Sequence, residues 1–435
     1  MDGDIARRRS YLFLQGMATD FMARLGRALM MRGHGVHRVN FNGGDRLFWR
    51  LAGAVDYRGD LAGWPRFLAR ILTEWRITDI ILFGDCRPLH CAAIKLVALR
   101  GLPVHVFEEG YLRPNWVTLE HGGVNGNSSL PRDPEWFRTN ARSLPPWDGG
   151  QPVRNSYFRR AIEDILYTAG TILLAWRYPG YRTHRPWHPL AEYASGARRF
   201  LRQPIAKRRR AQTLIQITEG NGPYYVFPLQ LDSDSQIRYH SQYAGMTSAI
   251  RHVIGSFARC APADSLLVIT EHPLDNGISN WQRLCRHHAV QAGVEGRVVY
   301  LEGGSPETLL ERSHGVVTVN STVGFLALNF GRPVVALGYA VYDMPDLTFQ
   351  GGLDDFWLWG MPPDVTTFDA FRRVIAAQTQ LNGGYFCKAG ITAAVAGAVA
   401  RLESYRPNCI EILAAGTEID LRENLDRLPA PAAGV

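Results

Sequence analysis

Short apolar runs alternate with stretches of helical period in two separate series along this chain, and that alternation restricts its fold more than any other feature. In the first series Tyr11–Leu14, Val36–Phe41, Ile80–Phe83 and Val104–Phe107 read as strands. Between them Phe21–Arg32, Trp64–Trp75 and Leu89–Arg100 carry apolar residues three and four apart, with Asp20 at an N-cap position and Gly33 and Gly101 as stops. The second series starts near Thr213. Its strands are Tyr224–Phe227, Leu266–Ile269, Val298–Leu301, Val316–Val319 and Val334–Leu337, and its helices cover Gln242–Cys260, Asn280–Gln291, Pro306–Ser313 and Thr322–Asn329. Phe368–Gln380 and Ile391–Leu402 add helices near the end. Strands alternating with helices predict parallel βαβ units. The expected fold is α/β, with two doubly wound Rossmann-like lobes and a cleft between them.

The pattern weakens over residues 131–153, where Pro131, Pro134, Pro145, Pro146, Gly149, Gly150 and Pro152 predict a linker or surface loop. The expected domains are therefore 1–132, a first α/β domain; 133–212, a linker and basic aromatic helical segment; 213–402, a second α/β domain whose last helices fold back on the first lobe; and 403–435, a tail. Charge picks out the same middle segment. Between Arg154 and Gln212 there are thirteen Lys/Arg and three acids, a local +10 within a net +8, which leaves the rest near −2. Trp176, Tyr178, Tyr181, Trp187, Tyr193 and Phe200 are interleaved with those charges. Such a mixture suits an anionic membrane surface or a solvated hairpin better than nucleic acid.

The six cysteines show no C-x-x-C pair and no zinc spacing, so they read as reduced thiols in a reducing compartment. The apolar run after the charged Met1–Arg9 is too short for a secretory signal. Ile165–Trp176 is too short to span a bilayer. No G-x-x-x-x-G-K-[ST], G-x-G-x-x-G, H-E-x-x-H or G-x-S-x-G occurs, which argues against ATPase, dehydrogenase, zinc protease and α/β-hydrolase.

Four clusters at predicted strand ends carry the chemistry. Phe107-Glu108-Glu109-Gly110-Tyr111-Leu112-Arg113-Pro114 offers a carboxylate as base toward a hydroxyl, with an arginine close by. Leu229-Gln230-Leu231-Asp232-Ser233-Asp234 offers two aspartates as nucleophile, base or metal ligand, or as turn and cap residues. Thr270-Glu271-His272-Pro273 places an imidazole at a fixed turn, able to donate to a phosphate or act as an acid. Asn320-Ser321-Thr322-Val323-Gly324 leads from a strand into a helix start, which is an anion site or an ordinary N-cap. Ligands of open parallel sheets bind beyond the carboxyl ends of strands, where all four clusters fall.

With Asn40-Phe41-Asn42-Gly43-Gly44-Asp45, Phe83-Gly84-Asp85-Cys86-Arg87-Pro88 and Phe13-Leu14-Gln15-Gly16, these stretches make the sequence resemble the bacterial capsule polysaccharide proteins of the KpsS/LipB type, relatives of KpsC. The resemblance implies a retaining β-Kdo transferase of GT-B-like form. Such an enzyme takes Kdo from CMP-Kdo, adds it to a phosphatidylglycerol-type lipid, and so starts the linker needed for capsule biosynthesis and export. It implies a peripheral place on the cytoplasmic face of the inner membrane, other capsule assembly and export proteins as partners, and no nucleic acid, metal or other cofactor. By its Q-x-x-x-D pattern it implies Gln230 as a donor contact and Asp234 as nucleophile, with Asp232 in reserve. It implies His272 and Pro273 at the CMP phosphate and Asn320, Ser321, Thr322 and Gly324 in the donor turn. Glu108 or Glu109 would be the acid/base, and Arg113, Gly16 and Asp85 would meet the acceptor or a carboxylate. Two other readings share these features: another nucleotide-sugar transferase or epimerase, and a non-catalytic lipid-glycan-binding component of the export assembly.

Overall fold

The computed structural model describes residues 8–183, 195–196, 207–208, 210–220, 222–232, 235–303 and 306–406. The chain divides into two compact units. Unit 1 comprises Met1–Ser129, Trp147–His184 and Ile375–Val435; unit 2 comprises Leu130–Pro146 and Arg185–Val374. These bounds differ from the expected ones. Residues 133–212 form no domain of their own, since 147–184 group with unit 1 and 130–146 with unit 2. Residues 375–402 group with unit 1, in line with the expectation that the last helices fold back on the first lobe, so only the boundary drawn at 402 differs. Trp187, Tyr193, Phe200 and the tail from 407 lie outside the described residues.

Unit 1 is built on a seven-stranded sheet. Its strands are β1 (Ser10–Phe13), β2 (Gly35–Asn40), β3 (Ala54–Asp56), β4 (Asp79–Phe83), β5 (Val104–Glu109), β6 (Trp116–His121) and, from the far end of the chain, the strand Gln380–Asn382. The spatial order is Gln380–Asn382, β6, β5, β4, β1, β2, β3. Side chains alternate across the sheet and both faces are covered. Tyr11 and Phe13 enter one core with Phe21, Leu25 and Ile391, while Leu12 and Leu14 enter the other with Trp64, Leu68 and Val97. That two-sided burial is why β1 and β4 read as continuous apolar runs. Each fully buried Leu contributes about 1.5–3 kcal/mol.

The expectation of purely parallel pairing fails at one edge. β5 and β6 pair antiparallel, Glu108 opposite Thr118, and Gln380–Asn382 pairs antiparallel with β6, Leu381 opposite Val117. The link from β5 to β6 is only the turn around Gly110–Asn115, and a parallel crossover needs a dozen or more residues.

The helix Tyr157–Leu173 lies on unit 1 through backbone contact. A Cβ on Gly43 would collide with the carbonyl of Gly170, so only glycine lets the short helix Gly43–Phe48 approach so closely. Around that crossing the Tyr167 hydroxyl accepts from Gln15 Nε2 at 2.7 Å and Asn42 Nδ2 at 2.9 Å, and donates to Asp45 Oδ1 at 3.0 Å. The Asn40–Asp45 stretch is thus the socket of this helix.

Unit 2 has five parallel strands: β7 (Tyr224–Pro228), β8 (Leu266–Thr270), β9 (Val298–Leu301), β10 (Gly315–Thr318) and β11 (Val334–Ala336), in the order β11-β10-β7-β8-β9. Phe227, Ile269 and Val317 pack with Ile250, Val253 and Phe257 of the helix Met246–Cys260. The stretch read as a linker contains the helix Pro134–Ala141. Asp133 caps it by accepting from Glu135 N at 2.9 Å, and Phe137 packs edge-on against Phe371 at 5.0 Å. The helix Val365–Gln378 then carries the chain back into unit 1.

Candidate functional site

Each sheet has one point where the strand order reverses, and a crevice opens there at the carboxyl ends of the strands. In unit 2 the reversal lies between β10 and β7. Gln230, two residues past β7, and Asn320, two past β10, meet across it. Gln230 Nε2 donates to Asn320 Oδ1 at 2.9 Å, and Asn320 N donates to Gln230 Oε1 at 3.2 Å. Asn320 Nδ2 donates to the carbonyl of His240 at 3.0 Å. Both amides are buried, so the pair locks the two strand ends together. Replacing Gln230 by Leu leaves the Asn320 amide without this partner. The expected loss is about 1–3 kcal/mol of unit 2 stability, read from a lowered denaturant midpoint; an unchanged midpoint would show that the pair does not lock the strand ends.

The other two clusters of unit 2 follow β8 and β10, the strands on either side of β7. His272 follows β8, and its Nδ1 accepts the Leu274 amide at 3.1 Å, which puts the ring proton on Nε2. Asp275 holds the same loop, accepting from Gly277 N at 2.7 Å and Trp281 Nε1 at 2.9 Å. Pro273 between them is exposed. After β10, Ser321 is the N-cap of the helix Thr322–Asn329, its Oγ accepting from Val323 N at 3.2 Å. Gly324 N donates to the Ser321 carbonyl at 3.0 Å. The hydroxyl of Ser321, expected as a ligand donor, therefore serves the helix, while Thr322 stands half-buried in its first turn. Gly324 is required by packing, because a Cβ there would collide with the Tyr342 hydroxyl.

Asp232 is also committed: its Oδ1 accepts from Met246 N at 2.9 Å, at the start of the helix Met246–Cys260. The turn-and-cap alternative holds for this residue. Ser233 and Asp234 lie outside the described residues.

In unit 1 the reversal lies between β1 and β4. Gly16 follows β1, and its carbonyl accepts from Arg87 Nη1 at 3.1 Å. Asp85 follows β4, and both of its carboxylate oxygens have partners. Its Oδ2 accepts from Val124 N and Asn127 Nδ2, both at 3.0 Å, and its Oδ1 accepts from Cys86 Sγ at 3.1 Å. It is buried and anchors the Asn125–Asn127 turn.

The two glutamates at the end of β5 separate clearly. Glu109 is gripped by two guanidinium groups, Arg113 Nη2 at 2.8 Å from Oε2 and Arg160 Nη2 at 2.8 Å from Oε1. Arg113, expected to meet an external anion, has Glu109 as its counter-ion. Glu108 sits beside them, its Oε1 accepting the Glu109 amide at 2.9 Å and its carbonyl accepting from the Tyr385 hydroxyl at 3.1 Å. Burial, with Glu108 and Glu109 nearby adding to it, raises the Tyr385 hydroxyl well above its ordinary range.

Sequence reasoning missed the segment after β11. Tyr342 donates to the Ser321 carbonyl at 2.5 Å, and its neighbour Asp343 accepts from Thr348 Oγ1 at 2.7 Å. Burial raises the Asp343 carboxyl above its ordinary value. The signal was the one used elsewhere, an acid just beyond a strand end, but the run Gly338-Tyr339-Ala340-Val341-Tyr342-Asp343 hid it among apolar residues.

Two doubly wound units, each with polar residues gathered at its switch point, define the class: an α/β protein with two Rossmann-like sheets. The chain belongs to the capsule polysaccharide biosynthesis protein family, whose model matches residues 78–386. It is 35% identical to the capsule polysaccharide export protein KpsS of Escherichia coli over 385 residues, 87% of this chain and 97% of that one. It is 34% identical to the capsule polysaccharide modification protein LipB of Neisseria meningitidis over 384 residues, 86% of this chain and 91% of that one. Among solved structures it is similar to the β-Kdo 2,7 transferase KpsC of Thermosulfurimonas dismutans, with TM-score 0.40 and 13% identity over 83% of this chain and 89% of that one. No described helix is long and apolar enough to cross a membrane.

Proposed function

We propose that this protein is a retaining β-Kdo glycosyltransferase that moves Kdo from CMP-Kdo to a phosphatidylglycerol-type lipid at a membrane surface, for capsule biosynthesis and export. The observation that carries the reading is the order β10-β7-β8 in unit 2. It puts the Gln230 loop, the His272–Pro273 turn and the Asn320–Gly324 helix start at adjacent strand ends, which suits a phosphorylated donor. The family supplies the capsule context; the donor and acceptor come from the motif resemblance.

In the proposed reaction the Asp234 carboxylate attacks the anomeric carbon of Kdo. The bond to the phosphate oxygen breaks and CMP departs, with His272 Nε2–H donating to its phosphate. The acceptor hydroxyl then attacks the glycosyl–enzyme ester, giving its proton to a carboxylate and releasing Asp234. Two displacements restore the configuration. Glu108 is assigned the acid/base role, because two arginines already occupy both carboxylate oxygens of Glu109.

The test supplies CMP-Kdo, generated in place, and a short-chain phosphatidylglycerol, and follows the lipid by mass spectrometry. One added Kdo mass is expected, with the rate lowered at least ~10³-fold in Asp234→Ala. CMP, and not UDP, should also raise the melting temperature. Extension only of a Kdo-primed lipid would make this a later transferase of the linker. No transfer to either lipid would overturn the proposal.

A further inference from the structure

The helix Tyr157–Leu173 is clamped on one side and bare on the other. Its inner side holds Tyr167, Gly170 and Thr171 against the Asn40–Asp45 socket. On its outer side, every exposed residue from Tyr157 through Trp176 is aliphatic or aromatic. Phe158, Ile162, Ile165, Leu166, Ile172 and Trp176 recur at helical spacing along that face, with Phe158 77% and Trp176 71% exposed. A helix of 17 residues makes this stripe roughly 25 Å long. A soluble protein rarely leaves such a continuous apolar patch without a partner.

The charges around it indicate which partner. Arg154 and Arg182 are exposed beyond its two ends, and no carboxylate is exposed anywhere between them. Neither acid of the helix is exposed: Glu163 is half-buried and pairs with Arg159 at 2.9 Å, and Asp164 is half-buried. A protein-binding face normally carries a mixed polar rim. An apolar stripe closed by cations with aromatic rings at both ends fits an acyl boundary beneath anionic headgroups. The helix is too short and too one-sided to cross a bilayer, so it would lie in the interface.

We propose that this face seats unit 1 on an anionic lipid bilayer. The clamp gives the seating a consequence. Gln15, two residues past the β1 strand end, donates to Tyr167 of the same helix at 2.7 Å and to Tyr181 at 3.2 Å. The bilayer plane is thereby fixed relative to the switch-point crevice of unit 1, where Gly16 lies. The surface does not depend on the transfer chemistry, and its test uses no donor.

The test is flotation of the full chain with phosphatidylcholine vesicles containing 30% phosphatidylserine. Phosphatidylserine replaces phosphatidylglycerol so that acceptor recognition cannot mimic surface binding. Partition is expected to exceed that on pure phosphatidylcholine at least tenfold and to fall as salt rises. Phe158→Ser/Ile165→Ser/Trp176→Ser should lower it at least tenfold with an unchanged thermal melt. Arg154→Glu/Arg182→Glu, which keeps the apolar face, should lower it several-fold. Absence of wild-type flotation overturns the proposal, as does equal flotation of both variants. Loss of a dimer in the triple variant by sedimentation velocity, without wild-type flotation, would assign the face to a second copy instead.

Discussion

Asp45→Ala is expected to destabilise unit 1 by about 3–5 kcal/mol, the cost of leaving one member of a buried ion pair alone. Arg38 and Asp45 are both buried, with Nη2 and Oδ1 2.9 Å apart. Asp45 also accepts from Phe41 N at 3.0 Å and from the Tyr167 hydroxyl at 3.0 Å, so one truncation removes three bonds. Burial already weakens the hold of Arg38 on its proton, and Asp45 is the main opposing influence. The measurement is chemical denaturation of the full chain, read on the unit 1 transition. Arg38→Leu/Asp45→Ala should recover part of the loss, because no charge is then stranded. A loss below about 1 kcal/mol in the single variant would show that water reaches this pair.

The second large effect concerns acid. Burial, with the nearby His105 ring adding to it, lowers the His121 pKa from 6.5 to about 4. Its Nε2 faces the Tyr405 hydroxyl at 2.9 Å, and the adjacent His105 Nε2 lies 2.8 Å from Asp79, which Arg9 also pairs at 2.8 Å. The folded state keeps His121 neutral while the unfolded chain binds a proton below pH 6.5. Stability from this group is therefore complete above pH 6.5 and falls as pH drops toward 4. The loss amounts to about 3 kcal/mol, from roughly 1.4 kcal/mol per pH unit. Asp79, held below its ordinary range chiefly by the bond from His105 despite its burial, adds a further loss at lower pH. Melting curves across this range should show the slope, and His121→Gln should flatten it by about one proton. A slope unchanged in the variant would place the acid sensitivity elsewhere.

The parallel core of each unit was legible because strands such as Ile80–Phe83 and Leu266–Ile269 are buried on both faces and show as apolar runs. β6 was hidden for a physical reason: it follows a six-residue turn that read as a site motif, and its Thr118 and Glu120 break the apolar pattern while remaining buried. The three residues Gln380–Asn382 have no local signal, since they become a strand only by pairing with β6. The strand-end clusters were found because chemistry collects where parallel strands stop. Their division of labour was not legible. Only the coordinates show Ser321 capping a helix, Asp85 anchoring a turn and Glu109 neutralised by Arg113 and Arg160. The two-sided character of Tyr157–Leu173 was likewise masked, because its period describes a bare face as readily as a packed one.

The return of residues 375–404 to unit 1 sets an order of events during synthesis. Leu381, Ile391, Ala398 and Leu402 complete one face of the first sheet with Tyr11 and Phe13, and Tyr405 meets His121. Until residues 380–404 have been made, β6 has no neighbour on its outer side, and the core that Tyr11 and Phe13 share with Phe21 and Leu25 lacks Ile391, Ala398 and Leu402. Residues 130–374, by contrast, supply every strand of unit 2 before that point. The later-encoded unit is thus the first that can close, and the first sheet stays incomplete until the helix Lys388–Ser404 packs on it.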